Sequence, residues 1–343
     1  MDRALADLGL GIPLLAAPMA GGPSTPALVS AAARAGGLGL LAGGYRTAPA
    51  LAEQIDAVRA EGLPFGVNLF APNPVPVDLA AFRAYARSLQ PEADRYGLAP
   101  AAADPVEDDD HWSGKIDLLL ADPVPLVSFT FGLPAASVVA ALRAAGTVVM
   151  QTVTSPEEAV AAAEAGADLL AVQAVAAGGH SGTLTPHRLP EPLPLAELVA
   201  RVRRTVPLPL VAAGGLATSA DIAAVLQAGA GAVMVGTVLL RTHESAASQP
   251  YQDALADPAR QQTVVTRAFT GRPARALRNG FTDRHSDTAP AGYPALHHLT
   301  RPLRQAAAAA GDAERINLWA GTGYREARAE PAADALARLV KQL

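Results

Sequence analysis

The chain has 343 residues, of which 50% are hydrophobic and 17% are charged, and it contains no cysteine. The apolar content suffices for a buried core and excludes disordered and fibrous proteins, while the lack of cysteine excludes disulfides, thiolate nucleophiles and cysteine-ligated metals. The formal net charge of −5 gives no positive surface for nucleic acid, so small-molecule partners are expected.

Two apolar segments could be mistaken for membrane or export sequences. Residues 222–240 are nearly free of polar side chains, but Gly229 and Gly231 divide them into a predicted helix and a predicted buried strand. Near the N-terminus, Pro13 and Pro18 interrupt the apolar run and argue against a cleaved signal. We therefore expect a cytoplasmic protein without a membrane span, as a monomer or homodimer.

Eight short apolar runs recur along the chain, each followed by an alanine-rich stretch with helical spacing. They are 13–17, 38–42, 65–70, 126–131, 148–153, 169–173, 208–212 and 232–236. Continuously apolar strands are buried on both faces, and regular strand–helix alternation imposes parallel pairing. The pattern predicts an α/β fold, a closed (β/α)8 TIM barrel.

Helix boundaries are legible between several of these runs. Ser24 and Thr25 are candidate caps for a helix that reaches Ala35, and Ser155 is expected to cap a helix over 156–165 with proline at its first position. Thr218 and Ser219 are expected to start another helix, which ends at Gly229.

Two stretches interrupt the alternation. Residues 73–122 contain a predicted helix over 79–96, an acidic run at 107–110 and an amphipathic piece near 112–120, which is too much for a plain loop. Residues 241–325 are expected to form a mainly helical cap over the barrel mouth, before a closing helix over 331–343. The expected division is a barrel (1–72 and 123–240), a helical insertion (73–122), a substrate-side cap (241–325) and a C-terminal helix packed on the barrel (326–343).

The carboxyl ends of the predicted strands, where barrels carry their active sites, are rich in glycine and neutral amides. No strand ends in lysine or in a carboxylate pair, which disfavours Schiff-base and glycosidase chemistry. His180 and His187 have no nearby acidic partners, so no metal site is expected. Ser128, at the fourth strand end, and Arg272 and Tyr293, in the predicted cap, are candidate substrate contacts, although structural roles suit the last two better.

Two small-residue doublets predict a phosphate site. Gly214-Gly215 and Gly236-Thr237 follow the seventh and eighth strands, where this barrel usually binds phosphate. Each doublet alone is about as compatible with a plain turn as with a phosphate site, but the presence of both at these two strands favours phosphate binding. Flavin mononucleotide (FMN) would extend from there across the strand ends. Asn68 and Gln173 are suited to its pyrimidine edge, and Pro18, Met19 and Ala20 to one face of its ring. Taken singly, each amide is better explained as a partner for backbone groups at its strand end.

His180 is the candidate catalytic group. It follows Gly178 and Gly179 in the sequence AAGGHSG at a predicted barrel mouth, and an imidazole transfers protons near neutral pH.

Seven segments together resemble the nitronate monooxygenases, formerly called 2-nitropropane dioxygenases. They are APMAGGPSTPALVSAAARAGGLGLLAGGY (17–45), PFGVNLFAPNP (64–74), VSFTFGLP (127–134), AAGGHSG (176–182), VAAGGLATSADIAAVLQAGAGAVMVGT (211–237), AFTGRPARALRN (268–279) and NLWAGTGYREA (317–327). The AGGLG element alone is shared with other flavin barrels, including a flavin-dependent enoyl-thioester reductase.

The resemblance implies FMN as cofactor and His180 as the catalytic histidine. It implies oxidation of an alkyl nitronate, such as propionate-3-nitronate, by O₂ to a carbonyl compound and nitrite. Ala174 and Ala176 stand where the family pattern has glycine and glutamate, which removes a side chain that would orient the histidine. The FMN contacts that it implies are Asn68, Gln173, Gly178, Gly215, Met234, Val235, Gly236 and Thr237.

Two other functions fit the same residues. One is an FMN-dependent enoyl-thioester or quinone reductase that uses NAD(P)H, and the other is a barrel that only binds FMN or another phosphate ligand as a sensor.

Overall fold

The structure, a computed structural model, describes residues 3–100 and 103–341. Eight parallel strands close into a barrel, since the first pairs with both the second and the last. The barrel strands are Leu14–Ala16 (β1), Leu38–Ala42 (β2), Phe65–Ala71 (β3), Leu126–Phe131 (β4), Val148–Val153 (β5), Leu169–Gln173 (β6), Leu210–Ala213 (β8) and Ala232–Val235 (β9). The predicted TIM barrel is confirmed, and each apolar run coincides with its strand to within about two residues at either end.

Helices lie between the barrel strands and in the segments that cover the barrel. They are Arg3–Ala6 (α1), Pro26–Arg34 (α2), Ala48–Arg59 (α3), Leu79–Ser88 (α4), Gln90–Ala93 (α5), Trp112–Ala121 (α6), Ala136–Ala144 (α7), Pro156–Glu164 (α8), Leu195–Arg203 (α9), Ser219–Gln227 (α10), Gln249–Ala256 (α11), Gly280–His285 (α12), Ala295–Ala309 (α13) and Ala332–Val340 (α14). The predicted helix over 79–96 is three pieces: α4, α5 and a 3₁₀ turn, Asp94–Tyr96.

The predicted N-cap Ser155 is confirmed, and of the paired candidates Thr25 and Thr218 are the N-caps. The Thr25 hydroxyl accepts a hydrogen bond from the Leu28 N–H at 3.0 Å, and that of Ser155 accepts one from the Glu158 N–H at 3.2 Å. Thr218 forms a reciprocal capping box with the third residue of α10. The last two residues of the predicted closing helix, Gln342 and Leu343, lie outside the described residues.

The barrel is filled and surrounded by aliphatic side chains. Leu15, Leu40, Leu126 and Met150 belong to a cluster of buried residues that strands on several sides of the barrel contribute. The apolar segment 222–240 contains α10 and β9, as predicted. Within the described ranges, no helix is long and apolar enough to cross a membrane.

The segments above the barrel pack against one another. Phe82 of α4 shares a buried cluster with Phe281 of α12 and Leu296 of α13, so part of the insertion lies against the cap. Ile116 and Leu119 of α6 instead pack with barrel residues. Thus α6, which the sequence placed in the insertion, occupies the position of a barrel helix between β3 and β4.

The cap also contains a sheet that the sequence did not predict. Gly179–His180 (β7), Thr263–Thr266 (β10) and Ala274–Leu277 (β11) form three antiparallel strands in the order β10-β11-β7. Since β7 follows β6 and carries His180, this sheet ties the cap to the edge of the barrel where the site lies.

Candidate active site

A cavity of about 630 Å³ lies at the carboxyl ends of the barrel strands, beneath the cap. Its lining contains every residue that the sequence predicted for cofactor contact, together with His180 and Ser128. The cofactor set is Pro18, Met19, Ala20, Asn68, Gln173, Gly178, Gly179, Gly214, Gly215, Met234, Val235, Gly236 and Thr237. The structure therefore brings these residues together on one surface, as expected for strand ends of a barrel.

Both predicted phosphate doublets, Gly214-Gly215 and Gly236-Thr237, line the cavity, and backbone segments approach too closely for a side chain at Gly214 and at the neighbouring Gly178. A Cβ atom on Gly178 would lie 2.5 Å from the Gly321 nitrogen, and one on Gly214 would lie 2.9 Å from the Ala174 carbonyl oxygen. Gly214 and Gly215 have φ of +111° and +79°, which glycine adopts without strain. Gly321, in the cap, was missed by the sequence reasoning, although it lies in the glycine-rich run Gly321–Gly323.

Asn68 is held with its carbonyl group free. Its amide nitrogen Nδ2 donates to Ser128 Oγ at 2.7 Å, to Thr130 Oγ1 at 3.0 Å and to the Ser128 carbonyl at 3.2 Å. The carbonyl oxygen Oδ1 has no hydrogen-bond partner in the described part of the chain, so it is an acceptor available to a ligand. Ser128, predicted as a substrate contact, accepts hydrogen bonds from Asn68 and so fixes the orientation of its amide.

The loop that carries His180 is fixed from two sides. Gln173 accepts a hydrogen bond from the Gly182 N–H at 2.7 Å and donates one to the His180 carbonyl at 3.2 Å. The buried carboxylate of Glu158, on α8, accepts from the Thr183 hydroxyl and from the next backbone N–H, both at 2.7 Å. Glu158 thus helps to order the loop although Ala176 lacks a carboxylate.

The His180 ring lies among aromatic side chains. Its centroid is 5.3 Å from that of Trp319 and 5.5 Å from that of Phe131. Burial, with the positive charges of Arg272 and Arg304, lowers the pKa of His180 to about 3. The imidazole is therefore neutral at neutral pH.

The two predicted cap contacts lie behind the cavity wall. Arg272 is completely buried, donates to the carbonyls of Asn73 (3.1 Å) and Thr183 (2.6 Å), and lies 4.1 Å above the Phe131 ring. Tyr293 contacts Phe131 edge-on. Neither Arg272 nor Tyr293 is among the described residues that line the cavity, so both stay predictions as substrate contacts.

Helix α13 supplies lining residues that the sequence reasoning missed. His297, Arg301 and Arg304 recur at helical spacing on its cavity side, which is the signal that would have found them. Arg304 donates to His297 and Asn317, both uncharged. His297 stacks on Tyr45 with ring centroids 4.1 Å apart. No aspartate or glutamate occurs among the described lining residues.

Comparison with known proteins gives a consistent result. The family model for nitronate monooxygenase matches residues 3–342. A nitronate monooxygenase of Pseudomonas aeruginosa is 37% identical, over 100% of this chain and 99% of that protein.

Two solved structures are similar along the whole chain. One comes from a study of nitroalkane oxidase from Streptomyces ansochromogenes, at 47% identity and a TM-score of 0.92, over 99% of this chain and 98% of that one. The other is FabK from Thermotoga maritima, at 26% identity and a TM-score of 0.76, over 99% of this chain and 95% of that one.

Proposed function

The chain belongs to the nitronate monooxygenase family, and we propose that it oxidises alkyl nitronates with O₂, using FMN, to a carbonyl compound and nitrite. Family membership makes it a flavin-dependent oxidoreductase. The observation that supports the finer proposal is the lining of the cavity. It combines the free Asn68 Oδ1, the neutral His180 and a backbone surface without side chains, here called the cradle, which is formed by Gly178, Gly214, Gly215 and Gly321.

The residues present fit FMN. Gly178, Gly214, Gly215 and Gly321 line the cavity without a side chain, and no group in the described part of the chain accepts from the N–H groups of Gly214 and Gly215, so these two N–H groups are free to bind a phosphate. Asn68 Oδ1 would accept from a donor of the ring system. When bound, FMN would supply the electron transfer between nitronate and O₂.

This chain's own residues would bind and orient the nitronate. His180, held by β7 and by Gln173, would donate a hydrogen bond to a nitronate oxygen. The aromatic side chains of Phe131 and Trp319 limit the water around the ring. A nitronate is already a carbanion equivalent, so binding and orientation are the main tasks left to the protein.

The direct test is oxygen consumption by the purified protein with propionate-3-nitronate or ethyl nitronate, combined with identification of the released flavin. We expect FMN and nitronate-dependent oxygen uptake, and in His180→Ala we expect retained flavin with strongly reduced turnover. A protein that binds no flavin, or one whose flavin is bleached rapidly by NADH without oxygen and which ignores nitronates, would contradict the proposal. The second result would favour the reductase alternative.

A further inference from the structure

The hydroxyl of Thr270 is the hydrogen-bond partner of the His180 ring. Thr270 lies in the loop between β10 and β11, is only 1% exposed, and has Oγ1 at 2.9 Å from His180 Nε2. The same oxygen is 3.4 Å from both the backbone nitrogen and the carbonyl oxygen of Arg272. A hydroxyl has one hydrogen. If it donates that hydrogen to Nε2, the neutral His180 ring carries its own hydrogen on Nδ1, and if it donates elsewhere, Nε2 carries the hydrogen and donates to the hydroxyl oxygen.

Thr270 lines the cavity, and its hydroxyl has two possible arrangements with the protein groups around it, which differ in hydrogen-bond length. If the hydroxyl donates to Nε2, its hydrogen lies on the 2.9 Å contact, and Oγ1 accepts weakly from the Arg272 N–H. If Nε2–H donates instead, the hydroxyl is left with the Arg272 carbonyl at 3.4 Å. O–H···O bonds are normally about 2.5–3.0 Å long, so the second arrangement leaves a buried hydroxyl poorly satisfied.

We infer that Thr270 is a positioning residue that holds His180 in the tautomer with hydrogen on Nδ1. Nδ1 has no hydrogen-bond partner among the described residues, and the ring lines the cavity, so Nδ1 is the nitrogen left for a ligand. It then offers an N–H donor, which suits the anionic oxygens of a nitronate. Removing the α-proton of a neutral nitroalkane requires a lone pair at that position instead.

The inference rests on the proposed function and narrows its substrate class to preformed nitronates. The distinction matters because the similar Streptomyces structure is described as a nitroalkane oxidase. For this chain, Thr270 disfavours the base that a neutral nitroalkane needs.

The tautomer can be observed directly in the holoenzyme labelled with ¹⁵N-histidine. We expect His180, assigned by the signals lost in His180→Gln, to show a protonated, pyrrole-type Nδ1 and a pyridine-type Nε2. The reverse pattern would overturn the inference. This measurement needs no turnover, so it also separates the two proposals: a wild-type enzyme that consumes no oxygen with ethyl nitronate overturns the proposed function, whatever the tautomer.

Substitutions test the consequence for the substrate. Thr270→Val removes the hydroxyl at nearly constant volume, and we expect kcat/KM for ethyl nitronate to fall about tenfold, as for one lost buried hydrogen bond. We expect the rate with neutral nitroethane, relative to nitronate, to rise. Thr270→Ser should restore both values, which a purely steric role would not predict.

A matched control removes a buried hydroxyl far from the site. Thr147, before β5 at the opposite end of the barrel, is 3% exposed and donates to the Val124 carbonyl at 2.9 Å. Thr147→Val should leave kcat/KM and the substrate ratio unchanged. Unchanged values in Thr270→Val, or a wild-type enzyme that oxidises neutral nitroethane as efficiently as ethyl nitronate, would overturn the inference.

Discussion

Replacing Gly178 with alanine should weaken FMN binding about tenfold while the barrel stays folded. The added Cβ would lie 2.5 Å from the Gly321 nitrogen and 2.7 Å from the Ala320 carbonyl carbon. Carbon contacts are normally about 3.5–4.0 Å, so the two segments would have to part by roughly 1 Å. Gly178 does not have a left-handed φ, so the effect comes from this collision and not from backbone strain.

The magnitude follows from the rigidity of what the methyl group meets. Both contacting atoms are backbone, and overpacking of such a contact costs about 1–3 kcal/mol. The separated segments would no longer fit the phosphate, so part of this cost weakens FMN binding. A loss of about 1.4 kcal/mol in binding free energy raises the Kd for FMN about tenfold.

The assay compares two flavins. Flavin-free protein is titrated with FMN and with riboflavin, which lacks the phosphate, and quenching of flavin fluorescence gives each Kd. We expect Gly178→Ala to raise the Kd for FMN much more than that for riboflavin. An unchanged Kd for FMN, or an equal loss for both flavins, would refute the assignment of this cradle to phosphate.

A control glycine has room for a methyl group. Gly114 lies in α6, where an added Cβ would meet only the Ala48 Cβ at 3.7 Å. Gly114→Ala should leave both Kd values unchanged and stabilise the fold by up to about 1 kcal/mol, since alanine favours helix.

Two further predictions concern titrating groups. Because the pKa of His180 is lowered to about 3, kcat/KM for a preformed nitronate should show no inflection near 6.5. A pH profile checks this, and an inflection there that His180→Gln removes would contradict it. Glu92→Gln should lower the free energy of unfolding by about 1–3 kcal/mol, because Arg315, which pairs with Glu92 at 2.5 Å and is 8% exposed, then keeps only the carboxylate of Asp312 at 2.7 Å. Burial raises the pKa of Glu92, but the hydrogen bonds and charges of Arg284 and Arg315 together outweigh burial and bring the pKa below its ordinary 4.5. This stability is therefore present above pH 4.5 and is lost as pH falls through the folded-state pKa. Urea unfolding of the wild type and of Glu92→Gln at several pH values tests this. If the two free energies of unfolding differ as much well below the folded-state pKa as they do at neutral pH, the reasoning is wrong.

The barrel was predictable because its signals are local. A strand buried on both faces reads as a continuous apolar run, and caps such as Thr25 and Ser155 bond to backbone three residues away. Strand ends then assemble the site by topology, so Asn68 and Gln173 could be placed on one surface without knowing a single distance.

What the sequence did not predict depends on contacts between distant segments. The pairing of His180 with Ala274 in the cap sheet joins residues that are far apart in the chain, and a two-residue strand has no periodicity to detect. Arg304 and Gly321 reach the cavity only because the cap folds back over the barrel. The position of α6 on the barrel is likewise decided by packing, since an amphipathic helix fits either place.

The charges around the cavity and the proposed tautomer of His180 both favour an anionic substrate. In a chain of net charge −5, the charged side chains among the described lining residues are Arg46, Arg301 and Arg304, and no lining carboxylate neutralises them. This positive field favours an anionic nitronate over a neutral nitroalkane. The charge of Arg304 also contributes to the lowered pKa of His180, so the same positive charge that attracts the anion helps to keep the imidazole neutral. With its hydrogen on Nδ1, this neutral ring can still donate a hydrogen bond to the nitronate.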